Sequence, residues 1–188
     1  MLSTKNLRLK YPNGEHKIFD GLNLTIHDKE KVLLLGPSGA GKSTLLNVLS
    51  GIVPELIELP MKYDELHIDE HCGMIFQDPD TQFCMPKVKE ELGFILENRQ
   101  VPRSEMDQAI QRALDSVGLN VDPDQYVNQL SGGMKQKLAI AETLLQQAET
   151  LFLDEPTAML DTEATAELWS KIKDFWEDQT VVLSLIHI

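Results

Sequence analysis

Apolar and polar positions change rhythm several times along the chain, and each rhythm predicts an element. Residues 7–10, 18–19 and 22–26 alternate or cluster apolar side chains around the turn signal Pro12-Asn13-Gly14, which predicts a short antiparallel sheet at the start. Residues 31–35 form a compact apolar run that reads as a buried strand, followed by a glycine-rich turn and a helix from Lys42 to about Leu49. Further on, 73–76 predicts a short strand, and 89–96 and 103–117 predict helices. In the second of these, Met106, Ala109, Ile110, Ala113, Leu114 and Val117 recur at three- and four-residue spacing, the stripe of a packed helix. Ser131 precedes a helix over about 134–145; 151–153 is a second buried strand, 163–176 is helical, and 180–183 is a last strand. Strands alternating with helices imply an α/β fold, a mainly parallel sheet with helices on its faces.

Composition narrows the class. The chain has 188 residues, enough for one core, and is 42% apolar and 25% charged, the balance of a globular domain. No internal repeat or low-complexity linker divides it, so one domain over 1–188 is expected. Lys and Arg number 17 against 30 Asp and Glu, a net charge of −13, which argues against nucleic acid as a partner and requires a local site for any phosphate. No apolar run is long enough to cross a bilayer, and the N-terminus lacks a signal-peptide core, so a cytosolic protein is expected. Cys72 and Cys84 sit in no metal-binding pattern and read as ordinary small side chains.

The candidate chemistry begins at Gly36-Pro37-Ser38-Gly39-Ala40-Gly41-Lys42-Ser43, which fits GxxxxGK[ST] between a strand and a helix. Glycines let the backbone wrap a phosphate, and the N–H groups there and at the helix start point at the negative charge. Lys42 is expected on the β- and γ-phosphates and the Ser43 hydroxyl on magnesium, with Thr44 following in the binding segment. A mere strand-to-helix turn would not need Lys followed by Ser. Leu151-Phe152-Leu153-Asp154-Glu155 supplies the partner: Asp154 ends an apolar strand and can hold the metal's shell, and Glu155 can orient or deprotonate an attacking water.

Many phosphate-loop proteins share those motifs; Leu130-Ser131-Gly132-Gly133-Met134 discriminates among them. A serine and two glycines at a helix N-terminus form a cap open to an anion. This run, upstream of the acidic strand, resembles the LSGGQ signature of ATP-binding-cassette (ABC) ATPases, with Met134 where that family usually has Gln. The resemblance implies a P-loop NTPase fold with an N-terminal antiparallel β subdomain and a helical signature subdomain over about 86–145. It also implies ATP and Mg2+ as cofactors, and a head-to-tail dimer with a second ABC ATPase subunit. Ser131, Gly132 and Gly133 would then face the opposite subunit's ATP. Tyr11 matches the family's adenine-stacking aromatic. Gln77 matches the glutamine that contacts magnesium and the attacking water, and Asp161 the carboxylate of the loop crossing the dimer interface.

Residues 76–83, followed by Val88, Glu90, Glu91, Leu92 and Phe94, and then 96–99 with Val101-Pro102, look like the glutamine-loop region of energy-coupling-factor transporters. That branch implies a transmembrane coupling protein and a substrate-binding membrane subunit as partners. It also implies a vitamin, cobalt or nickel cargo and a peripheral position on the cytoplasmic face of the membrane. The alternatives are the ATPase of another ABC importer or exporter, or a nucleotide-binding module without turnover. A DNA-repair ABC ATPase would carry a long coiled coil between Gln77 and Ser131, and a ribosome-acting one two cassettes and a basic linker; neither is present.

The end of the sequence carries its own expectation. The family's γ-phosphate histidine follows the last strand, one residue nearer the opening threonine than His187 stands to Thr180. The fold's closing helices would lie further on. The six residues 183–188, LSLIHI, match the translation of CTG TCT CTT ATA CAC ATC, a transposon-end adapter, and are read as non-native. On that reading the fold is C-terminally truncated after about Val182, and His187 is a catalytic candidate only if the segment is genuine.

Overall fold

The computed structural model describes residues 1–12, 14–69 and 71–186. In chain order its strands are β1 (Leu2–Leu9), β2 (Phe19–Ile26), β3 (Lys31–Gly36), β4 (Met61–Lys62), β5 (Glu65–His67), β6 (Cys72–Ile75), β7 (Thr150–Asp154) and β8 (Thr180–Ile186). Its α-helices are α1 (Lys42–Leu49), α2 (Val88–Asn98), α3 (Arg103–Ser116), α4 (Gly132–Gln146) and α5 (Thr162–Ile172). The chain divides into two units, one comprising Met1–Met74, Glu149–Asp154 and the stretch from Asp178 onward, the other Ile75–Ala148 and Glu155–Glu177.

The first unit holds two sheets. β1 pairs antiparallel with β2, from Leu2 opposite Ile26 to Leu9 opposite Phe19, as the alternating pattern predicts. Phe19 and 22–26 belong to one strand, with Ile18 just before it. Its pairing with β1 slips between Thr4 and Leu7, where Asn6 takes a φ of 53°, and again between Leu7 and Arg8, where Gly21 on β2 takes a φ of 91°. β4 and β5 both pair antiparallel with β1. They are too short for any periodicity to announce them.

The second sheet has the order β3-β8-β7-β6, with β3 and β7 both parallel to β8. Leu45, Leu46 and Leu49 of α1 pack with Phe152, Val182, Leu2 and Ile26, so one core joins helix and both sheets. The expectation that 31–35 is buried needs correction. Val32 and Leu34 pack on the core, but Leu33 is 50% and Leu35 58% exposed. An all-apolar run suits a parallel strand covered on both faces. Here α1 lies on one face, and the other is open among the described residues.

In the second unit α2, α3 and α4 pack on one another, and the 3-10 turn Pro79–Thr81 lies against α4. The α3 stripe is buried at Met106, Ile110, Ala113, Leu114 and Val117. The helix expected over 163–176 is α5 followed by a 3-10 turn, Lys173–Trp176, where Trp176 meets Trp169 edge-on at 5.7 Å. Both cysteines are free thiols, and among the described residues no helix is long and apolar enough to cross a membrane.

Candidate functional site

β3 delivers the chain into the phosphate-loop motif. Gly39 and Gly41 take φ values of 80° and 90°, and a Cβ on Gly41 would lie 2.6 Å from the Ile18 Cγ2 and 3.3 Å from the Phe19 ring. Both the backbone conformation and the space therefore demand glycine at 41. The Lys42 ammonium donates to the carbonyls of Gly36 (2.8 Å) and Pro37 (3.0 Å), curling over the loop it follows. Leu45 N–H makes the first intrahelical bond, to Gly41 O at 2.9 Å, and α1 has no side-chain cap. Its first-turn N–H groups are thus directed at the loop, as an anion site requires.

Two residues distant from this loop in the chain belong to the same unit. The Tyr11 hydroxyl lies 2.9 Å from Thr44 Oγ1, and the residue is 40% exposed. The hydrogen bond anchors one end of the ring at α1 and leaves the aromatic face available to a flat base. Asp154 ends β7, buried, and accepts a hydrogen bond from the Ser184 hydroxyl of β8. Because β3 and β7 flank β8 in parallel, with Gly36 opposite Ile186 and Asp154 opposite Ser184, loop and acid leave the sheet at the same end. Ser184 lies in the 183–188 segment that reads in the sequence as an adapter, so no partner role was expected of it.

The unit boundary falls between Asp154 and Glu155. Within the second unit, Gln77 Nε2 donates to the Glu155 carboxylate at 3.0 Å, joining two predicted residues from distant segments. Glu155 is buried and takes a φ of 49°, a left-handed conformation unusual for a residue with a side chain. Its carbonyl accepts from Ala158 N–H (3.0 Å) and from Gln136 Nε2 (3.2 Å), while Gln136 Oε1 accepts from Met159 N–H (2.7 Å). Gln136 is fully buried on α4. Nothing in its spacing singled it out, because a polar position inside an amphipathic helix ordinarily reads as solvent-facing.

Ser131 caps α4 by accepting from Met134 N–H. The two signature glycines also answer a packing need: a Cβ on Gly132 would lie 3.0 Å from Met159 Sδ, and one on Gly133 3.1 Å from Leu160 Cδ2 and 3.3 Å from Met159 O. Asp161 caps α5, accepting from Ala164 N–H at 2.8 Å. His187 lies outside the described residues.

The segment after Gln77 is tied to the helices by acids. Glu91 accepts from the N–H groups of Cys84 (3.0 Å) and Met85 (2.6 Å). Gln82 donates to the buried Glu142, whose carboxyl is pushed up to about 8 chiefly by burial.

Comparison with known proteins gives a consistent picture. The family model described as ABC transporter matches residues 19–158. The HMP/thiamine import ATP-binding protein YkoD of Bacillus subtilis is 36% identical over 100% of this chain and 37% of its own length. The energy-coupling factor transporter ATP-binding protein EcfA of Methanocaldococcus jannaschii is 36% identical over 98% of this chain and 69% of its own. The ATP-binding cassette MJ0796, solved as a dimer in a post-hydrolysis state with ADP and Pi, superposes with a TM-score of 0.79 and 26% identity, over 98% of this chain and 87% of that one. The chain thus spans from 31% to 70% of the length of the curated relatives it matches.

Proposed function

This chain belongs to the ABC transporter family, and from that premise we propose that it is the ATP-hydrolysing subunit of an energy-coupling-factor type importer. The observation that carries the hydrolytic reading is the Glu155 carboxylate, buried, held by Gln77 and directly following the strand that ends in Asp154. A carboxylate so held can take a proton from, or orient, a water beside a γ-phosphate.

The residues present fit ATP and magnesium. Gly39, with a φ of 80° and no atom within 4 Å of where a Cβ would stand, leaves the loop open beside its N–H groups. Lys42 supplies a cation that can exchange two carbonyl partners for phosphate oxygens. Ser43 and Asp154 offer the hard oxygen donors that magnesium takes, and the Gln77 amide oxygen is a third of the same kind. When bound, the metal neutralises charge developing on the phosphates. The Tyr11 ring is suited to stack on adenine. Ser131, Gly132 and Gly133 form a capped helix start suited to the γ-phosphate of a second subunit's ATP, with Asp161 at the interface between the two copies. The dimeric form of a cassette of the same fold supports this arrangement.

Closure of two such cassettes would drive a transmembrane coupling protein and its substrate-binding subunit from the cytoplasmic face of the membrane. The name of one relative, an HMP/thiamine import protein, supports uptake of a vitamin; a transition-metal ion is the other cargo that the energy-coupling-factor resemblance implies. The adapter reading of 183–188 stands as a proposal beside this one. Genomic sequence across Val182 tests it, and a native LSLIHI codon run would overturn it.

Steady-state ATP hydrolysis and nucleotide binding by the protein and its Glu155→Gln variant test the function. The expected result is a loss of turnover of about 10²–10⁴-fold with nucleotide binding retained. Unchanged turnover would overturn the assignment of Glu155, and absence of turnover in the unaltered protein would favour a binding module.

A further inference from the structure

Gln136 is fully buried although it lies one turn into α4, and both ends of its amide are used within a single turn of chain. Its Nε2 donates to the carbonyl of Glu155 and its Oε1 accepts from the N–H of Met159. A glutamine is the side chain suited to this task, because it supplies one donor and one acceptor at a fixed separation. The turn it spans contains the least relaxed backbone near the site, Glu155 with a φ of 49°, outside the range that a side-chain-bearing residue prefers. The same turn is braced by Ala158 N–H on the Glu155 carbonyl and packed by the Met159 and Leu160 side chains against Gly132 and Gly133. The carboxylate that projects from this strained residue is the one Gln77 holds.

We infer that Gln136 is a positioning residue for ATP hydrolysis: it fixes the left-handed backbone of Glu155 and so aims the carboxylate, tying the water-orienting acid to the helix that carries the Ser131-Gly132-Gly133 signature. The inference rests on the reading of Glu155 as that acid. Gln136 touches no nucleotide in this role and acts only through the 155–159 turn. A ligand that shifts the signature helix of a chain therefore shifts the acid of the same chain with it.

The geometry makes the test specific. Gln136→Met conserves volume and removes both hydrogen bonds; Gln136→Glu keeps the acceptor for Met159 N–H and removes the donor to the Glu155 carbonyl. Steady-state ATPase kinetics and nucleotide affinity are measured for both, alone and combined with Glu155→Gln. The expected result for Gln136→Met is a fall in kcat of at least about tenfold with KM and nucleotide affinity within about twofold, the pattern of a group that acts on the chemical step. Gln136→Glu is expected to fall at least as far, because it loses the donor and adds a carboxylate beside Glu155. In the Glu155→Gln background neither variant should lower the residual rate further, since the acid through which Gln136 acts is already gone. An unchanged kcat, a rise in KM that accounts for the loss, or a further fall in the Glu155→Gln background would overturn the inference. Should Gln136→Met fail to fold, the same three readouts on Gln136→Glu decide it. If Glu155→Gln alone leaves turnover intact, the functional reading fails; if it abolishes turnover while the Gln136 variants do not affect kcat, only the positioning role fails.

Discussion

Replacing Glu142 with glutamine should stabilise the protein at neutral pH by removing the cost of holding a buried carboxyl protonated at a pH where the unfolded chain ionises it. Glu142 is 3% exposed on α4 and receives one hydrogen bond, from Gln82. Its second carboxyl oxygen and the Gln82 amide oxygen are both buried without a partner. Burial outweighs the Gln82 bond and raises the carboxyl from an ordinary 4.5 to about 8. The Glu91 carboxylate on α2 adds repulsion, and the neighbouring Cys84 thiol is pushed up by its own desolvation and by the same Glu91. Between 4.5 and 8 the folded chain keeps a proton that the unfolded chain has released, so stability is complete below about 4.5 and falls as pH rises toward 8. At roughly 1.4 kcal/mol per pH unit the deficit is about 3 kcal/mol at pH 7 and reaches a ceiling of about 5 kcal/mol above pH 8. The glutamine of the variant carries no such proton, and its amide donor can serve the unpartnered oxygen of Gln82. Urea unfolding of both proteins at intervals from pH 5 to 9 reads the difference directly. The expected gap is under about 1 kcal/mol at pH 5, widens steadily, and levels off above pH 8. A gap that is constant with pH, or a wild-type protein that gains on the variant as pH rises, would refute the reasoning.

Gly41→Ala forces a side chain into a φ of 90° and within 2.6 Å of Ile18 Cγ2, so a loss of about 1–3 kcal/mol is expected in thermal unfolding, with weakened nucleotide binding. Tyr11→Phe, which loses only the hydroxyl contact to Thr44, should change ATP affinity by no more than about threefold, whereas Tyr11→Ala should weaken it by the ~1–3 kcal/mol of a base–aromatic stack, as read by fluorescent-nucleotide titration. Equal effects of the two Tyr11 substitutions would remove the stacking role.

Much of the local structure of the candidate phosphate loop was legible because its parts are contiguous. A strand, a glycine turn and a helix start follow one another in 31–49, and each is dictated by local conformation: the apolar run, the left-handed glycines, the uncapped helix. Ser131 was legible for the same reason, since a helix cap is made within three residues and its bond to Met134 N–H is local; Asp161 was named only through the family resemblance, and its cap on Ala164 N–H was not foreseen. The open face of β3 was not, because an apolar run records that a strand can be covered on both sides and not whether it is.

What the sequence by itself determined is the set of local devices: the loop that can wrap a phosphate, the acids at the end of an apolar strand, the capped glycine pair. Only the tertiary structure decided which distant side chains meet them. Gln77 reaches Glu155, Tyr11 reaches Thr44, Ser184 reaches Asp154, and Gln136 spans Glu155 and Met159. Each of these joins segments far apart in the chain, so no periodicity or spacing encodes it. They form because polar groups carried into the interior must find partners there, and the packing of strands and helices determines which partner is within reach.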